Sequence, residues 1–117
     1  MGLVEKQAEF LVDVTKLLAK ANKLGFVVTG GELHRTVEQQ KIYIEQGRSK
    51  TMNSKHLSRL AIDLNFFKKK ENGGLELTYK VADLKPIGYY WESLNPKNNW
   101  GDNWNSFKDT PHFQRSP

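Results

Sequence analysis

The chain has 117 residues, 38% of them hydrophobic and 26% charged, which predicts one soluble globular domain over residues 1–117 and excludes a disordered or membrane-inserted protein. It has no cysteine, which excludes disulfides and cysteine-ligated metals, so that any metal ion must be held by His, Asp or Glu. The net charge of +5 comes from 18 basic and 13 acidic residues spread along the chain, a pattern more typical of a solvated surface than of a nucleic-acid-binding face.

The first part of the chain predicts a helix, a strand and a second helix. Apolar residues recur at helical spacing over residues 10–24, which predicts an amphipathic helix. The β-rich run 26–29 precedes two glycines and predicts a short strand. Thr36, with Gln39 three residues later, is typical of a capping box and predicts a helix as far as about Gln46.

A strand, a hairpin and a third helix are predicted next. In AIDLNFF, residues 61–67, apolar side chains share one face of a strand while Asp63 and Asn65 share the other, as in the wall of a cleft. KKKENGG and the alternating LELTYK predict a hairpin turn and a returning strand. A helix is expected over residues 83–94, with Pro86 tolerable only near its first turn.

The remaining stretches are irregular. GRSKTMNSK, residues 47–55, has no periodicity and predicts a surface loop. Near the C-terminus, Pro111 rules out a helix and favours an extended Thr110, so that His112 is expected on a short terminal strand. Together these elements predict an α+β fold in which a small antiparallel sheet is flanked by helices.

Three residues could form a metal site: His56, Asp63 and His112. Catalytic zinc takes three ligands from His and carboxylates and leaves a fourth position for water. Because the positions of His56 and Asp63 differ by an odd number, the loop before the strand must fold back to bring them together. From the spacing alone, an exposed loop histidine and a buried carboxylate held by backbone donors are the favoured alternative, because His and Asp occur together in many sequences that bind no metal.

Asp109 lies three residues before His112 and is a candidate base. The extended DTPH run can place its carboxylate beside a metal without making it a ligand. There it can accept a proton from water whose pKa the metal has lowered. The alternative is an ordinary turn aspartate that precedes a proline at the surface.

Four motifs, taken in order, resemble those of the zinc DD-peptidases of the M15 family. SKHLSRLAID resembles the Ser-x-His-x(6)-Asp signature, and DTPHF resembles the closing acid-x-x-His motif. HRTVEQQ is similar to the Arg-Ser/Thr motif with its downstream Gln, and WGDNWNSF to the Trp-Gly-Gly-x-Trp segment. The resemblance covers about residues 26–113 and implies a fold like that of Hedgehog and the DD-peptidases.

The resemblance also implies roles for individual residues. His56, Asp63 and His112 would bind zinc, and Asp109 would be the general base. Arg35 would lie near the metal, where its charge can polarise the scissile carbonyl and stabilise the oxyanion that forms on it. A surface arginine at the start of a helix is the alternative for Arg35.

Two further residues match the family, and two depart from it. Ser54 and Gln40 correspond to family positions that, with the arginine, support the loop or contact the substrate. Arg59 stands where the family usually has glycine, which suggests a backbone twist that arginine would resist if its φ is positive. Asp102 stands where the family prefers a second glycine, and neither departure is at a proposed zinc ligand.

The resemblance implies a function. Family members with Asp as the base are typically phage endolysins that cut the L-alanyl-D-glutamate bond of the peptidoglycan stem peptide. The alternatives are a D-alanyl-D-alanine carboxypeptidase or dipeptidase of the same family, and a non-catalytic basic domain that binds nucleic acid or another partner.

The sequence also leads to expectations about location and assembly. No apolar run approaches eighteen residues, and acidic residues interrupt the N-terminus, so no signal peptide is expected. The protein is therefore expected in the bacterial cytoplasm, reaching the wall after the membrane is permeabilised. We expect a monomer with no separate wall-binding module, no nucleic-acid partner and no membrane insertion.

Overall fold

The computed structural model describes residues 2–47, 54–101 and 109–116. Most of the predicted 47–55 loop and the Asp102 position lie outside the described residues. Within these ranges there are three helices and five strands, with a 3₁₀ turn before the second strand. In order they are α1 (Leu3–Lys23), β1 (Val27–Gly30), α2 (Val37–Glu45), the 3₁₀ turn (Lys55–Ser58), β2 (Ala61–Lys69), β3 (Leu75–Thr78), α3 (Val81–Leu94), β4 (Asn98–Trp100) and β5 (His112–Arg115).

The strands form one antiparallel sheet built around the long strand β2. The order is β1-β2-β5-β4, and β3 also pairs with β2. β1 runs along one edge of β2, while β3 and β5 share the other edge, pairing with residues 66–69 and 61–63 respectively. The predicted α+β architecture, with a small antiparallel sheet flanked by helices, is confirmed.

The core lies on one face of this sheet. Leu64 and Phe66 of β2 point into it, as their alternation with Asp63 and Asn65 predicted. Helices α1 and α3 meet there, with the rings of Phe10 and Trp91 packed edge to face at 5.5 Å between centroids. The other fully buried apolar side chains of the core include Leu17, Leu60, Leu84, Ile87, Trp100 and Phe113.

Two helix boundaries differ from the prediction. Helix α1 begins at Leu3, seven residues before the predicted run, because the backbone of Gly2 is capped by the Glu5 side chain. Helix α3 begins at Val81, so Pro86 lies in its second turn rather than its first. The core contacts of α3 therefore outweigh the helical hydrogen bond that proline cannot donate. No helix in the described ranges is long and apolar enough to cross a membrane.

Candidate metal centre

Strand pairing brings the first two candidate ligands together. In the antiparallel register of β2 and β5, Asp63 lies directly opposite His112. Side chains at such cross-strand positions are neighbours on one face of the sheet. Asp63 Oδ1 accordingly lies 3.0 Å from His112 Nδ1.

The third candidate ligand arrives through the 3₁₀ turn. The turn folds the chain back before β2, as the odd spacing of His56 and Asp63 predicted, and Ser54 caps it by accepting a hydrogen bond from the His56 backbone N–H at 3.3 Å. The buried His56 ring then places Nε2 3.4 Å from Asp63 Oδ1. His56, Asp63 and His112 are hereafter the metal cluster, and their ligand atoms all lie within 4.8 Å of one another.

Hydrogen bonds on the outer side of each ring orient the cluster. His56 Nδ1 lies 2.9 Å from the Leu33 carbonyl oxygen, and His112 Nε2 lies 2.9 Å from Gln114 Oε1. Both oxygens accept only, so these ring nitrogens carry the protons. In the neutral imidazoles, the inner nitrogens then present lone pairs towards the Asp63 carboxylate.

Such an arrangement needs a positive charge at its centre, either as protons on the imidazoles or as a metal ion. His56 Nε2 is buried and makes no hydrogen bond to any described residue, which is costly for a polar atom. Tetrahedral zinc with bonds of ~2.0–2.1 Å places its ligand atoms ~3.3 Å apart. The inner nitrogens of His56 and His112 lie 3.4 and 3.0 Å from Asp63 Oδ1, so these residues fit zinc.

The pKa of Asp63 favours ligation. Burial by itself would raise this pKa, but the two imidazoles beside the carboxylate, His112 at 3.0 Å and His56 at 3.4 Å, outweigh it and hold the pKa well below its usual range. Asp63 is therefore ionised at neutral pH, as a ligand must be.

Asp109 is held at the edge of the metal cluster by its backbone. Its N–H donates to the Gly101 carbonyl at 3.1 Å, and its own carbonyl accepts from the His112 N–H at 3.1 Å. A Cβ at Gly101 would lie only 2.0 Å from the Asp109 carbonyl oxygen, so only glycine permits this approach. The backbone of the candidate base is thus bonded to the residue that follows β4 and to the first residue of β5.

The environment of Asp109 favours the protonated form more than water does. Burial raises the pKa of its carboxyl, and the negative charge of Asp63 raises it further, against the opposing charges of His112, His56 and Arg35. Asp109 is consequently a stronger base than a solvated aspartate, which suits a group that takes up a proton and returns it.

Arg35 is not a surface arginine, because its side chain is only 10% exposed. Its backbone N–H donates to the His56 carbonyl at 3.1 Å, which ties it to the 3₁₀ turn. One guanidinium nitrogen donates to the side-chain oxygens of the buried Gln40 and of Ser54. Gln40 and Ser54 thus orient Arg35.

Three residues of this neighbourhood were missed from the sequence. Glu32 accepts from Arg35 Nε, and its other oxygen accepts from the Tyr43 hydroxyl at 2.9 Å. The guanidinium also lies 4.6 Å from the centre of the Tyr43 ring. Gln114 is the third, and its spacing of two from His112 on a strand was the available signal.

Arg59 adopts the backbone conformation expected of the family glycine. It ends the 3₁₀ turn with φ 58° and ψ 35°. Among the described residues, it is the one non-glycine residue with positive φ. Glycine would adopt this left-handed conformation with less strain. The turn that carries His56 therefore closes on a strained residue.

Comparisons with known proteins identify a family and a fold for the chain. A model of the M15 peptidases, described as D-alanyl-D-alanine carboxypeptidase, matches residues 47–115, a range that contains the metal cluster and Asp109 but not Arg35. The L-alanyl-D-glutamate peptidase of Listeria phage A118 is 35% identical over 104 residues, which cover 85% of this chain and 34% of that protein. The chain thus spans about a third of the length of this relative.

A solved structure has the same fold. The L-Ala D-Glu endopeptidase ChiX of Serratia marcescens superposes with a TM-score of 0.67 over 89% of this chain and 78% of that chain. The two sequences are 22% identical, so this likeness supports the architecture alone.

Proposed function

Because the chain belongs to the M15 peptidase family, whose model covers more than half of it, we propose that it is a zinc-dependent peptidoglycan peptidase of the endolysin type. Its substrate would be the stem peptide, and the bond cut would be L-alanyl-D-glutamate. The observation that carries this proposal is the metal cluster, in which His56 Nε2 is buried without a hydrogen bond to any described residue. The named activity of the phage protein supports the choice of bond.

The metal cluster would hold the zinc ion. When bound, zinc supplies a Lewis acid and lowers the pKa of water towards neutrality. Hydrogen bonds to Leu33 and Gln114 hold the two imidazoles in the tautomers that ligation requires.

Asp109 and Arg35 would carry the remaining chemistry. Asp109 takes a proton from the attacking water and later gives it to the leaving amine, for which its raised pKa is suited. Arg35, held by Glu32, Gln40 and Ser54, directs a fixed positive charge at the oxygen of the scissile carbonyl. Because these partners orient the guanidinium in advance, little reorganisation is needed when the oxyanion forms.

A second candidate is a D-alanyl-D-alanine carboxypeptidase, which the description of the matching family model favours. The same ligands, base and arginine would serve this reaction, so the two differ only in which part of the stem peptide is bound. A monomer that meets the wall after membrane permeabilisation remains our prediction for either activity.

The test uses the protein as purified, after chelation and after zinc is restored, on outer-membrane-stripped cells. Loss of turbidity that chelation abolishes and zinc restores is expected, and Asp109→Asn should lack it. Asp83→Asn is the matched control, since it makes the same change at a carboxylate outside the site. Zinc-independent lysis, or full lysis by Asp109→Asn, would overturn the proposal.

Digested cell-wall sacculi identify the bond. New glutamate amines are expected for the endopeptidase. Released D-alanine without new glutamate amines would instead establish the carboxypeptidase.

A further inference from the structure

A groove of about 520 Å³ adjoins the metal centre on the side of Asp109. Its described lining consists of Tyr79, Val81, Asp109, Thr110 and Pro111. We propose that this groove binds the part of the substrate on the C-terminal side of the scissile bond, and that Tyr79 determines selectivity for it. This inference rests on the proposed function and adds to it a side of the site and a specificity residue.

The position of Asp109 decides which part of the substrate lies in the groove. A group that returns a proton to the leaving amine must face that amine at the end of the reaction. The leaving amine belongs to the residue on the C-terminal side of the scissile bond. Because Asp109 lines the groove, the leaving peptide extends from Asp109 along Tyr79 and Val81.

Hydrogen bonds fix the wall of the groove relative to the site. Thr110, next to the base, donates from its hydroxyl to the Tyr79 carbonyl at 2.8 Å. The Tyr79 hydroxyl donates to Asn65 Oδ1 at 3.4 Å. Asn65 shares the face of β2 that carries the ligand Asp63, so Tyr79 is linked to the base on one side and to the ligand strand on the other.

The chemistry of the lining indicates the kind of residue bound. Tyr79, Val81 and Pro111 present apolar surface, and Asp109 contributes the carboxylate of the described lining. The volume lies within the ~300–1,000 Å³ typical of small-molecule sites, enough for more than one peptide residue. An extended peptide with a long methylene side chain after the leaving residue matches this surface, and lysine as the third stem residue has such a side chain.

Tyr79 and Tyr89 make a matched pair for a test. Both are 51% exposed, but Tyr89 lies on α3 and is absent from the groove lining. The substrates are the dipeptide L-Ala-D-Glu, which ends at the leaving residue, and L-Ala-γ-D-Glu-L-Lys-D-Ala, which continues beyond it through the γ-carboxyl of glutamate. Both are assayed with the zinc-loaded wild type and with Tyr79→Ala, Tyr79→Phe and Tyr89→Ala.

Tyr79→Ala should lower kcat/KM for the longer peptide about tenfold, mainly by raising KM. It should change kcat/KM for the shorter peptide less than about twofold. Tyr79→Phe should retain the selectivity, because the ring supplies the contact, and Tyr89→Ala should change neither substrate. An equal loss on both peptides, or no loss on either, would overturn the role of Tyr79.

Binding without turnover separates this inference from the proposed function. The product-side peptide γ-D-Glu-L-Lys-D-Ala is titrated into the metal-free protein and followed by NMR. We expect shifts of the Val81 and Thr110 amides and an affinity about tenfold weaker in Tyr79→Ala. Shifts elsewhere would overturn the groove, whereas groove shifts with no cleavage of either peptide by the wild type would overturn the proposed bond alone.

Discussion

Two buried polar clusters lie on opposite faces of β5. The metal cluster includes His112 of β5. A second cluster, hereafter the structural cluster, is formed by Asp13, Asn98 and Arg115, and includes Arg115 of the same strand. Arg115 donates to Asn98 Oδ1 at 2.9 Å and to the Asp13 carboxylate, and Asn98 donates to the same carboxylate at 3.2 Å. Because the spacing of His112 and Arg115 is odd, one strand presents a side chain to each cluster.

The clusters differ in how far their polar atoms are satisfied. In the structural cluster, donors and acceptors are matched, and the second donor of the Asn98 amide reaches the Trp91 carbonyl at 3.0 Å. In the metal cluster, acceptors converge on a centre that requires a cation. Removing one partner from a satisfied buried cluster destabilises the fold, whereas a cluster left incomplete marks a site where a ligand contributes the missing interaction.

The largest effect is expected at the metal cluster. His56→Ala should abolish stoichiometric zinc binding and peptidase activity, because two protein ligands are insufficient for a tight site. Without zinc its free energy of unfolding should be lower than that of the wild type by about 2–4 kcal/mol, because the substitution leaves a cavity at a buried ring and removes the donor to the Leu33 carbonyl. Calorimetric zinc titration and urea unfolding in chelator measure both, and retained stoichiometric zinc binding would contradict the assignment.

The second largest effect is expected at Asp109, where the rate of the reaction should change without the affinity for zinc. Asp109→Asn should lower kcat by about 10²–10⁴, the usual contribution of a general base, while zinc affinity changes only a few-fold. Single-turnover cleavage of L-Ala-γ-D-Glu-L-Lys-D-Ala, with parallel zinc titration, measures the two quantities. An equal loss of both would make Asp109 a ligand rather than a base.

The structural cluster should show the opposite pattern. Arg115→Met leaves the Asp13 charge buried without its partner, at a cost of about 3–5 kcal/mol in the free energy of unfolding. Urea unfolding measures this loss, and the fraction still folded should bind zinc as the wild type does. A loss of zinc affinity with an unchanged free energy of unfolding would contradict the purely structural role of this cluster.

A smaller effect is expected at Gln114, which orients a ligand without contacting the metal. Gln114→Leu removes the acceptor on His112 Nε2 and should weaken zinc binding about 10–100-fold. Competition with a chromogenic chelator measures the affinity. Gln114→Glu, which retains an acceptor, should preserve it, so a similar loss in both variants would argue against a positioning role.

The smallest effect concerns strain beside the metal cluster. Arg59→Gly should raise the free energy of unfolding by about 0.5–1 kcal/mol, because relief of a left-handed conformation exceeds the added flexibility of the unfolded chain. Arg59→Ala retains the strained geometry and should give no such gain. Thermal unfolding of both variants in chelator separates backbone relief from loss of the arginine side chain.

Local patterns predicted the parts of the site that follow from strand geometry. Alternation placed Asp63 away from the core, Pro111 placed His112 on a strand, and odd spacing required the turn that positions His56. The metal cluster could therefore be predicted, with the family motifs supplying the partner residues.

Contacts between distant segments could not be predicted in the same way. Asp13 and Arg115 meet across the whole chain, and their pairing depends on where α1 packs. Glu32 and Tyr43 act through Arg35, and nothing in their local sequence indicates that the three side chains converge. Only the packed structure relates them.

The contact between Gly101 and Asp109 gives one backbone carbonyl two tasks. Any side chain at Gly101 would collide with the Asp109 carbonyl oxygen, and the same oxygen accepts the hydrogen bond from the His112 N–H. A substitution at Gly101 would therefore displace the candidate base and disturb one residue of the metal cluster together, while His56 and Asp63 lie on other segments. The absence of a side chain at this single position is thus a condition for both halves of the site.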